Sequence, residues 1–334
     1  MVRFGVIGTN WITEAFIEAG SKHPDFELTA VYSRSEETAQ SFAEKFKSNI
    51  TIFSDIREMA KSDKLDAVYI ASPNAFHARQ AIELLQHGKH VLCEKSIASN
   101  KAELEAMIAV AKQHKVLLME AVKSTFTPNF HSVKSNLGKI GTIRSYFASY
   151  CQYSSRYDAY KEGNILNAFK PEFSNGAMMD IGIYCIYPLV VLFGAPESIH
   201  ATGLKLDSGV DGKGSIILKY RDMDATVMFS KISNSSLPAE IQGENGNIII
   251  DKIHTPERVE IQFRNGDTED LTQPQERETM YYEAKEFIEL IQNGKMESEI
   301  NSHENSLIVM EILDEARRQI GIVFPADENP VTTL

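Results

Sequence analysis

Ile70-Ala71-Ser72-Pro73-Asn74-Ala75-Phe76-His77 and, shortly after, His90-Val91-Leu92-Cys93-Glu94-Lys95-Ser96 decide the fold of this 334-residue chain. Each stretch is a short apolar run that ends in polar residues. Between them, residues 76–86 read as a helix, and Gly88 stops it. Strand, helix and strand at this length make a βαβ unit, whose crossover sets the two strands parallel. The polar ends of both runs then emerge at the carboxyl rim of neighbouring strands. Open α/β sheets bind their ligands at that rim. Lys95 is therefore expected in an active site, beside a nucleotide cofactor.

Toward the N-terminus, residues 2–7 form an apolar strand broken only by Arg3, and Gly8-Thr9-Asn10-Trp11-Ile12-Thr13 leads into a helix over 11–21. First strand, tight turn and helix N-terminus is the arrangement that binds a diphosphate. The full Gly-x-Gly-x-x-Gly pattern is not met: Gly8 holds the first place, Asn10 the second and Thr13 the third. Asn accepts positive φ better than most residues, so the turn is expected to survive, with less room for the diphosphate. A plain strand–helix turn is the alternative. The second strand, 27–32, ends in Ser33-Arg34-Ser35, with no acid to hold the ribose 2′-hydroxyl of NAD. Ser33 and Arg34 suit a 2′-phosphate instead, and the guanidinium can stack on adenine, which favours NADP over NAD. Arg34 could also simply be solvated, or pair with Glu36 or Glu37.

A helix over 36–46, a strand over 51–53, helical residues 56–60 and a strand over 65–71 follow. Asn74 and His77 would lie where the nicotinamide ribose passes, although a lone His in a first helical turn can be structural. Asn100 and Glu103 open a helix that runs to 114, and a strand over 116–120 completes a doubly wound sheet. The expected cofactor contacts are Gly8, Thr9, Asn10, Trp11, Ile12, Ser33, Arg34, Ser72, Asn74, His77, Glu94 and Lys95.

From residue 142 the pattern changes. Strands are expected over 142–153, 198–206, 214–220, 225–232, 239–242, 247–250, 259–263 and 268–271, with turns at Asp211-Gly212, Glu244-Asn245-Gly246 and Asn265-Gly266. Hairpin connections imply a mostly antiparallel sheet carrying helices on one face. The helix over 178–193 is embedded in this domain, and 281–292 and 301–320 are late helices, the second with Asn301 and Glu304 as cap and partner. The fold class is thus α/β: a Rossmann domain over 1–121, then a substrate and dimerisation domain over 122–334. The 301–320 helix is expected to pack back on the first domain. Asp180 and Tyr184 stand four apart and share a helix face in apolar surroundings. A carboxylate there needs a partner or a cleft, or it offsets the helix dipole.

The net charge of −12 argues against nucleic-acid binding, which needs clustered Lys and Arg. Cys93, Cys151 and Cys185 follow no metal spacing and read as reduced thiols; a catalytic thiol is the alternative. No metal site is expected. With no signal peptide and no apolar run long enough to span a bilayer, a cytoplasmic protein is expected.

Gly5-Val6-Ile7-Gly8-Thr9, Ser33-Arg34, Ser72-Pro73-Asn74 with His77, Glu94-Lys95 and Asp180-Ile181-Gly182-Ile183-Tyr184 carry a resemblance to the Gfo/Idh/MocA family. That family includes glucose–fructose oxidoreductase and inositol dehydrogenase. Residues 177–185 are most similar to its dimeric dihydrodiol dehydrogenase branch. The resemblance implies a dinucleotide domain, an open-faced α/β domain, an active site between them and a dimer face on the second sheet. It also implies that Lys95, Asp180 and Tyr184 are catalytic. Hydride would move between nicotinamide and a carbinol carbon of a sugar, cyclitol or trans-dihydrodiol. Ser96 stands where the family usually has proline, so a cis Lys–Pro bond is not available and Lys95 is expected to sit differently. Asn10 replaces a glycine, and Asn167-Ala168 stands near a usual Trp-Arg. These departures leave open a catalytically silent NADP-binding sensor. A biliverdin-reductase-like enzyme would need a large apolar cleft.

Overall fold

Six parallel strands build the first sheet: β1 (Val2–Ile7), β2 (Phe26–Tyr32), β3 (Thr51–Phe53), β4 (Ala67–Ile70), β5 (His90–Glu94) and β6 (Leu118–Ala121). Their order is β3-β2-β1-β4-β5-β6, so the winding reverses beside β1. A doubly wound sheet opens its ligand crevice at such a switch point. Five helices connect the strands: α1 (Trp11–Gly20), α2 (Glu36–Ala43), α3 (Ile56–Lys61), α4 (His77–Gln86) and α5 (Lys101–His114). Side chains of Asn10, Ser35, Asp55 and Asn100 accept hydrogen bonds from the first turns of α1, α2, α3 and α5. The βαβ unit that decides the fold is present. β4 and β5 pair in parallel from Ala67↔His90 to Ile70↔Cys93, and every residue of β4 is buried.

The computed structural model describes residues 1–46, 49–329 and 331, which divide into two units. The first combines Met1–Lys123 with Glu276–His303. Helix α9 (Met280–Gln292) thus joins the first unit, whereas the sequence groups it with the second half. The reason is apolar packing. Phe287 of α9 enters the cluster of Phe4, Phe16, Phe26 and Tyr69, in which the Phe16 and Tyr69 rings stack at 3.8 Å. Periodicity shows that a helix has an apolar face, but not which partner it meets.

The second unit is Ser124–Gln275 with Glu304–Glu328. Its eight strands are β7 (Ile143–Cys151), β8 (Ser198–Lys205), β9 (Asp211–Lys219), β10 (Asp224–Ser230), β11 (Ala239–Gly243), β12 (Gly246–Ile250), β13 (Val259–Phe263) and β14 (Thr268–Asp270). The order is β14-β13-β12-β11-β7-β10-β9-β8, antiparallel throughout except for β7 beside β10. Asp211-Gly212, expected as a turn, begins β9. The chain reverses over 206–210, where Gly209 takes φ +101°.

The expected helix 178–193 opens as a π-turn, Met178–Gly182, and continues as an α-helix over Ile183–Phe193. Gly182 permits this close seat, since a Cβ there would lie 2.9 Å from the Phe229 ring of β10. The sequence suggests no run long enough for a membrane span, yet the most apolar 18-residue window within Pro171–Phe193 has a mean hydropathy of 1.8. It is a core helix: 72 % of its most apolar window is buried within the fold.

Candidate active site

A cleft of about 450 Å³ opens at the carboxyl ends of β1, β2 and β4. Gly8, Thr9 and Asn10 line it, as do Ser33, Arg34, Ser72 and Pro73. From α4 come Arg79, Gln80 and Glu83, with Phe76 just before the helix; this spacing makes one stripe. Positive φ falls on Gly8, at +103°, where a Cβ would meet the Ala71 carbonyl oxygen at 2.7 Å. Asn10, expected to need positive φ, is extended at φ −105°. Its Oδ1 accepts from the Ile12 and Thr13 amides at 3.1 and 3.3 Å, and its Nδ2 donates to the Ala71 carbonyl at 3.1 Å. The side chain thus folds back on the helix start, which a glycine could not do.

Arg34 and Arg79 have no hydrogen bond or ion pair among the described residues, and the expected alternatives for Arg34, Glu36 and Glu37, do not reach it. Arg57 also lines the cleft and lies 3.7 Å from Glu83. Two uncommitted guanidinium groups and a third weakly paired one make a cleft suited to an anion. This donor set fits the 2′-phosphate and diphosphate of NADP. Arg57, Arg79 and Gln80 were not legible as site residues. Trp11 and Ile12 do not line the cleft, and Trp11 is 70 % exposed.

Lys95 directly follows β5, and its bond to Ser96 is cis although Ser96 is not a proline. The expectation that serine would remove this geometry is therefore not met. Glu94 is buried. Its Oε1 accepts from the Tyr69 hydroxyl and its Oε2 from the Lys95 amide at 3.3 Å. Burial raises its pKa, while Lys95, the Tyr69 hydroxyl and Lys123 pull it back. Glu283 of α9 is fully buried nearby, with neither carboxyl oxygen hydrogen-bonded among the described residues. Burial, reinforced by Glu94, pushes its pKa well above the usual carboxylate range. His77 is fully buried rather than open to the cleft. Its Nδ1 sits 2.9 Å from the Ser96 carbonyl and its Nε2 2.8 Å from the Ser72 carbonyl. Burial lowers its pKa to about 4, and the neutral ring, packed between the ends of β4 and β5, donates to only one of these two carbonyls. Asn74, also buried, opens the short turn before α4.

In the second unit, Asp180 is the third residue of the π-turn and Tyr184 the second residue of α8 (Ile183–Phe193). The expected partner for the Asp180 carboxylate is present but unforeseen: Lys231 Nζ donates to Oδ2 at 2.6 Å. Asp211 fastens the start of the same turn, its Oδ2 accepting from the Met178 amide at 2.7 Å. Gly176 makes room for it, since a Cβ there would lie 2.2 Å from Asp211 Oδ1. The Tyr184 ring stands edge-on to Tyr150 at 5.9 Å and to His254 at 6.4 Å; those two stack at 4.0 Å. Tyr150 and His254 arrive from β7 and a loop, with no motif to announce them. The three cysteines are unpaired, and burial pushes the Cys93 and Cys185 thiols well above their ordinary pKa. Neither suits a thiolate nucleophile.

A Rossmann sheet with an anion cleft at its switch point, joined to an open mixed sheet, defines a dinucleotide-dependent oxidoreductase. The chain belongs to the Gfo/Idh/MocA oxidoreductase family: residues 2–122 match its NAD-binding Rossmann-fold model and residues 136–249 its C-terminal domain. It is 58 % identical to scyllo-inositol 2-dehydrogenase (NADP(+)) IolU of Bacillus subtilis, over 98 % of this chain and 100 % of that protein. It is 31 % identical to trans-1,2-dihydrobenzene-1,2-diol dehydrogenase of Mus musculus, over 98 % and 99 %. The solved structure of KijD10, a 3-ketoreductase from Actinomadura kijaniata in complex with NADP and TDP-benzene, superposes with a TM-score of 0.84. There the identity is 26 % over 96 % of this chain and 98 % of that one. The protein is an NADP-dependent oxidoreductase that acts on CH–OH groups, and the sensor reading falls away.

Proposed function

We propose that this enzyme oxidises a cyclitol, with scyllo-inositol or a close isomer as substrate, and that Lys95, Asp180 and Tyr184 act on that substrate. One observation carries the substrate: 58 % identity along the whole of a protein named for that reaction. Bound NADP supplies the hydride acceptor. As the carbinol C–H bond breaks, its hydroxyl proton must leave, and negative charge grows on the oxygen. The Lys95 ammonium stabilises that charge. The proton passes either to Tyr184 as the phenolate, with the Lys95 ammonium stabilising the oxygen, or to Lys95 as the neutral amine, with the Tyr184 hydroxyl donating to the oxygen instead. A phenol with its ordinary pKa of about 10 is a poor base near neutrality, and a cation close to it lowers that value. Asp180 accepts a hydrogen bond from the adjacent hydroxyl, which favours substrates with vicinal hydroxyls.

On the cofactor side, Gly8, Thr9 and Asn10 receive the diphosphate, Ser33 and Arg34 the 2′-phosphate, and Ser72, Asn74, His77 and Glu94 support the nicotinamide end. In this reading residues 1–121 serve the dinucleotide and the remainder serves substrate and dimerisation. The open face of the second sheet, with Ile217 50 % and Leu204 46 % exposed, makes a homodimer or higher homo-oligomer. Unpaired cysteines suit a cytoplasmic setting.

The test follows nicotinamide absorbance with NADP and a panel of inositol isomers, sugars and a trans-dihydrodiol. Turnover should be highest with a cyclitol. NADP binding without turnover on any polyol would overturn the proposal.

A further inference from the structure

We infer that Lys231 is a positioning residue for the reaction: its buried ammonium holds the Asp180 carboxylate in one orientation and keeps it charged. The pair is asymmetric. The Lys231 side chain is 5 % exposed and that of Asp180 is 36 % exposed, so a buried lysine anchors a carboxylate that is partly exposed to solvent. Its backbone is locked as well. The Lys231 amide donates to the Gly212 carbonyl at 2.9 Å, and its carbonyl accepts from the Ser154 amide at 2.8 Å. The ammonium lies 5.3 Å from the Phe169 ring centroid, a wall that excludes water without competing for the hydrogen bond.

Burying a lysine costs more than a hydrophobic side chain of the same length, so stability does not explain the choice. The turn itself is clamped at two points, by Asp211 at Met178 and by Lys231 at Asp180. Lys231 and Asp211 are the charged side chains shown in contact with it. Burial pushes Asp211 up to about 6, and the nearby Lys231 ammonium partly offsets that shift. An ammonium so placed limits rotation of the Asp180 carboxylate and disfavours its protonation. The consequence is a defined acceptor for one substrate hydroxyl.

The inference rests on the reading that Asp180 handles substrate, and its test separates the two. The full-length enzyme is compared with Lys231→Met and Lys231→Arg. Lys231→Met should lower kcat/KM for the cyclitol by about 10- to 100-fold, the effect of losing a charged hydrogen-bond partner. The Kd for NADP should stay unchanged, and Lys231→Arg should recover most of the loss. Normal kinetics in Lys231→Met, or Lys231→Arg no better than Lys231→Met, would overturn the inference while leaving the proposed function intact. If Lys231→Met does not fold, Lys231→Gln keeps a donor without the charge and is read in the same way. If the wild type turns over no polyol, the proposed function fails. The inference is then read by NMR titration of the Asp180 carboxyl, which should ionise at higher pH in Lys231→Met; no change would overturn it.

Discussion

Arg34→Ala should separate NADP from NAD. Arg34 lines the cleft and has no partner among the described residues, so truncation breaks nothing within the protein and Tm should not move. A hydrogen bond to a charged group contributes about 1.5–3 kcal/mol. The Arg34 side chain is exposed, so solvent screening brings the effect just below that range, to about 1.4 kcal/mol or one decade. The Kd for NADP should therefore rise about 10-fold, while that for NAD, which lacks the 2′-phosphate, should stay within about 2-fold. Added salt should weaken NADP binding to the wild type more than to the variant, because an exposed charge pair is screened. Equal losses for both cofactors would mean that Arg34 only stacks on adenine, and would refute the phosphate role. No loss for either would remove it from the site.

Arg79→Ala should act in the same direction, and the double variant should depart from additivity if both guanidinium groups meet one phosphate; binding titrations of the four proteins measure this. Gly8→Ala places a Cβ 2.7 Å from a backbone carbonyl at φ +103°, so thermal unfolding should show a loss of about 2 kcal/mol together with weaker NADP binding; an unchanged Tm would contradict the strain. His77 takes up a proton near pH 6.5 when unfolded but only at about 4 when folded. Between those values the unfolded chain binds more protons, so His77 removes stability as pH falls, by about 3 kcal/mol in full. Asp211, raised from 3.8 to about 6, acts with the opposite sign, since there the folded chain binds more protons. The His77 contribution is therefore read as the difference between wild type and His77→Gln: the variant should lose less stability between pH 7 and pH 4, and parallel curves would rule the account out.

The first sheet was legible because each parallel strand is an apolar run with a polar end, and burial on both faces demands that pattern. The rim followed from topology, and with it Ser33, Arg34, Ser72 and Lys95. Arg57 and Arg79 were not legible, since a charge in the first turns of a helix looks solvated. The 76/79/80/83 spacing with one apolar and three polar members was the available signal. Lys231 left a clearer trace. In the run Ala225, Val227, Phe229, Lys231 the alternating positions face inward, and a lysine on the buried side needs a carboxylate. Asn10 illustrates the converse: its residue type suggested positive φ, but capping an exposed helix start is the stronger use of its amide. Nothing local in Lys95-Ser96 signals its cis bond.

The most direct measurement is turnover of Lys95→Met and Tyr184→Phe with NADP and scyllo-inositol, after each variant is shown to fold and to bind NADP. Both should retain the cofactor and lose about 100-fold or more in kcat, the scale of one lost acid–base or charge-stabilising group. Near-wild-type kcat in both would contradict the assignment of the chemistry to these two side chains.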